Sequence, residues 1–369
     1  MNTGESVNSK LGLVLSGGGA KGAYQVGVLQ YMAEIDMNVD AVSGTSIGAL
    51  NGAVVSAEKS LVKGANVLLS IWSELSVCSP MKFQGLQSNG FISVPEIFTL
   101  LLPRAQLVSP LEALSKLSQY SDIGEDIRAW FDSDYKNSEE YKIKLEEDNK
   151  GWLSSAPSLD ILNKYASKDK LVKGLEFYVG LYESRGVVAD FSEYVKGDYL
   201  RFKDTKESQF WRVQDLPLEI VHEAILASAA LPIFFNGRVI KGKVYRDGGV
   251  GGAATQSGNT PVRPLVDSGC THIIVTHLND GSFWNRHDFF DVNFIEVRPR
   301  KSISNSITDL MAFKPEAIEK WIDQGYHDAK RCIGNVRNAK ILVEENKAAQ
   351  STIDNQIIHL DDDDFDVNG

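Results

Sequence analysis

Ser46 lies between two glycines in the stretch Gly44-Thr45-Ser46-Ile47-Gly48, a G-x-S-x-G pattern. In enzymes this pattern places the serine on a sharp strand-to-helix turn, where its hydroxyl is exposed as a nucleophile. The pattern is short enough to arise by chance in a long chain. A serine nucleophile also needs a base and donors for the oxyanion, so the rest of the sequence must decide between the two interpretations.

A second glycine-rich turn, SGGGAKGAY at 16–24, supplies candidate oxyanion donors. Gly17, Gly18 and Gly19 would present successive backbone N–H groups at a helix N-terminus, with no side chains in the way. Such N–H groups stabilise the negative charge that develops on a carbonyl oxygen. The sequence therefore contains both halves of a serine esterase site.

The same turn matches G-x-G-x-x-G through Gly17, Gly19 and Gly22, a pattern typical of dinucleotide-binding sites. That alternative needs an acidic residue at the end of the following strand, whereas this strand ends in SGTSIG and Asp40 stands before it. The Walker pattern does not fit, because Ala23 follows Gly22 where a lysine is needed. A nucleotide-binding or non-catalytic interaction module is kept as the alternative function.

Two residues are candidates for the base that would activate Ser46. His277 ends the apolar run THIIVTHL, and Asp247 lies in YRDGGV, where two glycines allow its carboxylate to approach a neighbouring loop. Another histidine, His222, lies within a helical pattern and is expected to be packed or on the surface. Residue types alone leave His277 and Asp247 both open.

The two glycine-rich turns follow two predicted strands. LGLVLS at 11–16 is a short apolar run, typical of a strand buried in a parallel sheet, and the pattern over 23–35 predicts a helix. The order repeats with DAVSG at 40–44 and a helix of small residues from Ile47. Such units form a right-handed crossover, and open α/β sheets place their sites at the carboxyl ends of parallel strands. We therefore expect an α/β fold with a mostly parallel central sheet.

The alternation of elements resumes in the second half of the chain. The patterns predict strands at 174–184, 242–249 and 271–278 and helices at 218–231 and 314–333. Residues 75–173 fit the alternation poorly and are predicted to form a largely helical insertion or lid. Within it, FISVPEIFTLLLP at 91–103 predicts a core helix, with bilayer docking or an acyl channel as the alternative, and 122–151 is highly charged.

The predicted organisation is one catalytic domain at 11–340, an extension at 1–10 and a C-terminal segment at 341–369. The segment ends in HLDDDDFDVNG, which has the like-charge block of a solvated tail. It lacks the glycine and the closing glutamate of an EF-hand calcium loop. We therefore predict that this acidic tail is disordered.

The overall composition is that of a globular protein, with 43% apolar and 24% charged residues in 369. A formal net charge of −11 argues against nucleic acid as a partner. The separated cysteines Cys78, Cys270 and Cys332 predict neither a disulfide framework nor a zinc site. With no leader pattern and no long apolar run, we expect a cytoplasmic protein that contacts membranes only peripherally.

Four blocks, taken in their order along the chain, carry a resemblance to a known family. They are GGGAKG at 17–22 with GVL at 27–29, then GTSIG at 44–48, ASAALPIFF at 227–235 and DGG at 247–249. Together they resemble the patatin-like phospholipase family. One departure is ALP, where the family often has AP directly after the alanines. The resemblance implies a three-layer α/β/α fold.

The resemblance also implies a lipid acyl hydrolase of phospholipase A type, which releases fatty acids from phospholipids or related glycerolipids through a Ser-Asp dyad. Ser46 would be the nucleophile, Asp247 the base, and the N–H groups of Gly17, Gly18 and Gly19 the oxyanion hole. Lys21 occupies the family's basic position in the loop. The supporting positions are Gly22, Gly44, Gly48, Gly248 and Gly249.

The expected partners follow from this resemblance. They are a phospholipid or other lipid ester and, transiently, a membrane surface, with no nucleic acid, metal or cofactor. Because an enzyme that attacks membrane lipids must be restrained, an activating protein, a small molecule or self-assembly is expected to release the insertion as a lid. The net negative charge means that membrane binding would depend on apolar insertion or a local basic patch.

Overall fold

The computed structural model describes residues 9–77, 153–186, 189–190, 204–232, 234–279, 281, 283–303 and 313–338. The apolar segment at 91–103, the charged segment at 122–151, Cys78 and the C-terminal segment at 341–369 lie outside the described residues. Of the predicted extension at 1–10, only the last two residues are described. Among the described helices, none is both long and apolar enough to cross a membrane.

The first two strand-turn-helix units form as the sequence predicts. Strand β1 spans Leu11–Leu15 and is followed by helix α1 at Ala23–Glu34. Strand β2 spans Ala41–Gly44 and is followed by helix α2 at Ile47–Glu58. The two strands are parallel neighbours, so both glycine-rich turns lie at the same end of the sheet.

Further elements complete the sheet and its cover. They are α3 (Leu61–Val77), α4 (Ala156–Tyr165), α5 (Lys168–Val172), β3 (Glu176–Glu183), β4 (Gln209–Arg212), α6 (Leu218–Ser228), β5 (Arg238–Ile240), β6 (Lys243–Asp247), α7 (Arg263–Asp267), β7 (His272–Thr276), β8 (Asn293–Val297) and α8 (315–338). The strand order is β5-β6-β3-β2-β1-β7-β8, and β4 pairs with β3. Strands β3, β2, β1, β7 and β8 are parallel, so the sheet is mostly parallel as predicted.

Strand β6 reaches the glycine-rich turns by running against the direction of its neighbour. The last residue of β2, Gly44, pairs with Val179, and β3 continues beyond that level. Strand β6 runs antiparallel along the extension and ends with Asp247 opposite Leu181. The carboxylate of Asp247 therefore arrives at the end of the sheet where Ser46 follows β2.

Both faces of the sheet are buried, which confirms the predicted three-layer α/β/α arrangement. Leu13 and Leu15 of β1 belong to the larger apolar cluster, which includes residues of α1, α2, α3, α6 and α8. Val14 points to the other face and joins a smaller cluster with Leu265 of α7 and Trp284. The alternation along β1 is the period of two that a strand imposes on its side chains.

Part of the region predicted as an insertion belongs to the main core. Within 75–173 the structure describes the end of α3 and, from residue 153 onward, helices α4 and α5. Leu162, Ala166 and Leu171 from these two helices are buried in the larger cluster. Helices α4 and α5 are therefore part of the packing of the main fold.

Candidate active site

Ser46 occupies a strained turn between β2 and α2. Its backbone has φ 57° and ψ −126°, a conformation that non-glycine residues rarely adopt. The N–H of Ser46 donates to the carbonyl and the hydroxyl of Ser228, at 3.0 and 3.2 Å. The carbonyl of Ser46 accepts the N–H of Ala49 at 2.9 Å, which begins the helix. These contacts hold the strained residue in place with its side chain at the sheet end.

The glycines of the G-x-S-x-G stretch are needed for close packing, since neither has a positive φ. A Cβ on Gly48 would lie 2.0 Å from the carbonyl oxygen of Leu15. A Cβ on Gly44 would lie 2.3 Å from the carbonyl oxygen of Gly48. Only glycine at these positions lets α2 begin directly against the ends of β1 and β2.

Asp247 is buried beside Ser46, with 3% of its surface exposed. One carboxylate oxygen, Oδ1, accepts the N–H of Gly249 at 2.8 Å. The Ser46 hydroxyl lies close enough to the carboxyl to affect its pKa. Burial raises the pKa of Asp247 from its ordinary value of 3.8 to about 6, and the hydrogen bonds from Ser46 and Gly249 oppose that rise. A carboxylate with this pKa is ionised at neutral pH and can accept a proton from a hydroxyl.

The glycines after Asp247 also permit a close approach. A Cβ on Gly248 would lie 2.5 Å from the carbonyl oxygen of Gly180 in β3. The N–H of the next residue, Gly249, donates a hydrogen bond to the Asp247 carboxylate. The Asp-Gly-Gly turn thus packs against the central sheet and holds its own aspartate.

The block at 227–231 holds the backbone of both residues. Ser228 accepts the N–H of Ser46, and Ala230 accepts the N–H of Asp247 at 3.1 Å through its carbonyl oxygen. Helix α6 ends at Ser228, three residues before the end predicted from Pro232, and the carbonyls of Ser228 and Ala230 bond to these two partners instead of to helical N–H groups. The alanine-rich block of the sequence therefore acts as a spacer between Ser46 and Asp247.

The glycine loop at 17–19 follows β1 and faces the Ser46 turn. The N–H of Gly17 donates to the carbonyl of Asn259 at 3.2 Å and is therefore already paired. No described residue accepts a hydrogen bond from the N–H of Gly18 or Gly19. Of the three predicted oxyanion donors, Gly18 and Gly19 are thus the two that remain available to a substrate oxygen.

A comparison with protein families gives this arrangement its context. The family model described as patatin-like phospholipase matches residues 13–266, well over half of the chain. The chain belongs to this family. The matched residues include the glycine loop, Ser46, the 227–231 block and Asp247.

Individual relatives match this patatin-like phospholipase over short segments. It is 52% identical over 50 residues to patatin-like phospholipase domain-containing protein 7 of Rattus norvegicus, covering 14% of this chain and 4% of the relative. It is 48% identical over 52 residues to lysophospholipase nte1 of Aspergillus terreus, covering 14% and 3%. The matches thus span only a small part of these relatives' length. Among solved structures, VipD from Legionella pneumophila is 15% identical over 89% of this chain and 67% of its own, with a TM-score of 0.41.

Asn259 is a residue of the patatin-like site that the sequence analysis did not single out. Besides accepting the Gly17 N–H, it places Oδ1 2.5 Å from the position of a Cβ on Gly17 and 3.2 Å from that of a Cβ on Gly249. Its amide therefore stands between the glycine loop and the Asp-Gly-Gly turn, beside Ser46. The signal in the sequence was the turn residues Gly-Asn-Thr-Pro at 258–261, which follow DGG.

The segment at 258–261 is fastened to the strand ends by side chains. Thr45 donates its hydroxyl to the carbonyl of Gly258 at 2.7 Å, and Ser43 donates to that of Pro261 at 2.5 Å. Ser16 and Thr260 share a hydrogen bond of 3.2 Å between their hydroxyls. This polar seam ties the segment that carries Asn259 to the ends of β1 and β2.

Lys21 and Gly22 lie in a short 3₁₀ turn at Gly19–Gly22 that follows the donor glycines. The Cε atom of Lys21 is 3.3 Å from the position of a Cβ on Gly18, so the lysine stem covers the loop. A Cβ on Gly22 would lie 2.4 Å from the side chain of Ile47 at the start of α2. Lys21 is partly exposed and lies beside the loop.

The histidines have partners elsewhere in the fold. His277 is buried, and its Nε2 is paired with Glu296 of β8 at 3.0 Å. Its ring lies 5.8 Å from that of Trp284, centroid to centroid. His222 is also buried, with Nε2 2.9 Å from the carbonyl of Ala166, as the prediction of a packed histidine requires. Asp247, and neither histidine, is the titratable side chain that the structure brings to Ser46.

The structure argues against the nucleotide-binding alternative, because the acidic residue near β2 lies at the wrong end of the strand. Asp40 precedes β2, and its carboxylate accepts the N–H of Leu11 at 2.7 Å, at the amino end of the strands. The glycine loop lies at the opposite, carboxyl end of β1. Asp40 therefore cannot bind a ribose held by that loop. Separately, the described ranges contain no group of three or more His, Cys, Asp or Glu side chains arranged to hold a metal ion.

Proposed function

We propose that this chain is a phospholipase A type acyl hydrolase in which Ser46 is the nucleophile and Asp247 is the general base. The observation that carries the proposal is the placement of the Ser46 hydroxyl beside the buried carboxylate of Asp247, whose pKa burial raises to about 6. Membership of the patatin-like phospholipase family supports a lipid ester as the substrate.

The proposed reaction has two halves. Ser46 Oγ attacks the ester carbonyl carbon while its proton passes to Asp247, and the carbonyl oxygen becomes an oxyanion. The intermediate then collapses, the bond to the alcohol breaks, and the departing alkoxide takes the proton from Asp247. Water next attacks the acyl-serine and gives its proton to Asp247. Collapse releases the fatty acid and returns the proton to Ser46.

The oxyanion is assigned to the Gly18 and Gly19 N–H groups. Backbone donors held in place before the reaction need no reorganisation when charge develops, and removal of one such donor typically costs about 10² to 10³ in kcat. The Gly17 N–H has a different proposed role, because its bond to Asn259 fixes the first peptide of the loop.

The surface on which the enzyme would act is proposed to be a membrane containing phospholipid. Lys21 stands at the rim of the glycine loop, where its ammonium group could pair with a phosphate of the substrate headgroup. The fatty acid would be released from a lipid bound transiently at the surface.

Fatty-acid release from phospholipid vesicles tests this function. The wild-type protein, Ser46→Ala and the matched control Ser56→Ala are incubated with vesicles of mixed phosphatidylcholine and phosphatidylglycerol, and the products are identified by mass spectrometry. Ser56 is also on α2 and buried, but its hydroxyl donates to the carbonyl of Leu175 at 2.7 Å. We expect release by the wild type and Ser56→Ala and none by Ser46→Ala. No release by the folded wild type, or equal release by Ser46→Ala, would overturn the proposal.

A further inference from the structure

Three buried side chains form a hydrogen-bonded chain behind the glycine loop. Gln25 on α1, Asn51 on α2 and Trp72 on α3 are each at most 2% exposed. Polar groups this deeply buried are costly unless they are paired, and a complete network orders the groups it joins. None of the three residues has a part in the proposed reaction.

The contacts run in one direction. Trp72 Nε1 donates to Asn51 Oδ1 at 3.1 Å, and Asn51 Nδ2 donates to Gln25 Oε1 at 2.9 Å. Gln25 Nε2 then donates to the carbonyl of Ser16 at 2.7 Å. Because an indole N–H can only donate, Trp72 fixes the orientation of the Asn51 amide, and that in turn fixes the Gln25 amide. The network can therefore present only a donor to Ser16.

The network holds both ends of the glycine loop. Ser16 is the residue before Gly17, and its carbonyl shares a rigid peptide plane with the Gly17 N–H, which donates to Asn259. At the other end, Asn51 Nδ2 also donates to the carbonyl of Gly22 at 3.2 Å. The peptide groups at the two ends of the glycine loop are thus held by a network whose side chains come from three helices.

We propose that Gln25 and Asn51 are positioning residues for the oxyanion hole, an inference that rests on the proposed function. By fixing the carbonyls of Ser16 and Gly22, they direct the N–H groups of Gly18 and Gly19 toward the oxygen of the ester carbonyl that Ser46 attacks. Small displacements of such donors are costly, since a shift of about 1 Å in a catalytic group can lower the rate about 100-fold.

A role in stability alone would make a different prediction. Any lost buried hydrogen bond destabilises the fold, wherever it lies. The control is Ser56→Ala. It removes a buried hydrogen bond from α2, the helix that carries Asn51, but this bond goes to Leu175, the residue before β3. A purely structural role predicts that variants of equal thermal stability have equal kcat.

The test compares Gln25→Met, Asn51→Leu and Ser56→Ala with the wild type. Kinetics on the soluble ester p-nitrophenyl butyrate give kcat and KM, and thermal unfolding gives Tm. Hydrogen–deuterium exchange of the peptide covering 16–24 reports on the loop without any need for activity. For Gln25→Met and Asn51→Leu we expect kcat to fall about 10-fold or more with KM within about two-fold, together with faster exchange at 16–24. Ser56→Ala should lower Tm only.

A more conservative substitution, Trp72→Phe, keeps the test valid if the other variants fail to fold. Trp72→Phe keeps a ring that can stack on Phe313, from which the indole lies 5.8 Å between centroids, and removes only the bond to Asn51. We expect a smaller fall in kcat and a smaller rise in loop exchange. The inference is overturned if folded variants of the network match Ser56→Ala in both kcat and loop exchange.

The design separates this inference from the proposed function. If the folded wild type hydrolyses no ester in the same assay, the function fails, and exchange at 16–24 alone decides whether the network orders the loop. If the wild type is active and only the network variants behave like Ser56→Ala, the positioning role fails and the function stands.

Discussion

Ser46 and Asp247 come from distant parts of the chain, and the Ser46 hydroxyl lies beside the buried Asp247 carboxyl, whose pKa it lowers as a hydrogen-bond donor. Ser46 follows strand β2 in the parallel part of the sheet, and Asp247 ends strand β6, which runs antiparallel to β3. Ser228 and Ala230 hold the two backbones at a fixed separation. The pair is thus positioned by the sheet and by the end of one helix.

The pH dependence of hydrolysis should follow the Asp247 carboxyl. The base must be ionised, and burial raises the pKa of Asp247 to about 6. On a soluble ester, kcat/KM should be constant above pH 7 and fall about tenfold per pH unit below pH 6. A profile that stays flat down to pH 4.5 would contradict this assignment of the base.

Asp247→Asn should stabilise the fold at alkaline pH while it removes activity. Because the folded pKa is raised, the contribution of this group to stability is fully present below pH 3.8 and is lost as the pH rises through about 6. Each pKa unit corresponds to about 1.4 kcal/mol, so the ionised carboxylate costs roughly 3 kcal/mol at pH 8.

Asparagine cannot ionise, so the free energy of unfolding of Asp247→Asn should exceed that of the wild type at pH 8. The two values should converge near pH 4. Denaturant unfolding at both pH values provides the comparison. If Asp247→Asn is less stable than the wild type at pH 8, then the ionised Asp247 carboxylate does not destabilise the folded protein.

His277→Ala should retain activity and lose stability. The imidazole is paired with Glu296 and packs beside Trp284, and neither contact reaches Ser46. Loss of a buried hydrogen-bonded group costs about 1 to 3 kcal/mol, so Tm should fall while kcat of the folded fraction stays within about threefold. A folded His277→Ala protein without activity would favour a histidine base.

Gly48→Ala should damage the fold at the Ser46 turn. The added methyl would lie 2.0 Å from the carbonyl oxygen of Leu15, which is backbone and cannot move aside cheaply. We expect a loss of about 3 kcal/mol in the free energy of unfolding, together with lost activity.

The control for that substitution is Gly334→Ala in helix α8. Its added methyl would meet the hydroxyl of Tyr31 at 2.9 Å, the far end of a side chain that can adjust. Alanine also favours a helix over glycine by about 1 kcal/mol, so this variant should be as stable as the wild type or more so. Equal stability of the two variants in thermal unfolding would contradict the role of close packing at Gly48.

The sequence predicted the sheet where local patterns are strong. Continuous apolar runs followed by glycine-rich turns marked β1 and β2, and the resemblance brought Ser46 together with Asp247. Short strands were missed, since β4, β5 and β8 have only three to five residues and too little pattern to stand out. Helix α3 at Leu61–Val77 was missed as well. Its end overlaps the start of the region at 75–173, where the sequence shows no clear periodicity.

Tertiary contacts decided what local patterns could not. Residue types left His277 open as a base, and only the pairing of β7 with β8 reveals that Glu296 is its partner. Similarly, three consecutive glycines have equivalent N–H groups in the sequence, and the carbonyl of Asn259 makes Gly17 different from the other two. The antiparallel direction of β6 is also a tertiary feature, because it follows from pairing with the part of β3 that extends beyond β2.

Covalent labelling with a fluorophosphonate tests directly whether Ser46 is an activated nucleophile. Wild type, Ser46→Ala, Ser56→Ala and Asp247→Asn are treated with the probe, and the modified peptide is located by mass spectrometry. We expect one adduct, on Ser46, in the wild type and Ser56→Ala, much slower labelling of Asp247→Asn, and none in Ser46→Ala. Labelling on another residue, or labelling of Ser46→Ala at the wild-type rate, would contradict this expectation.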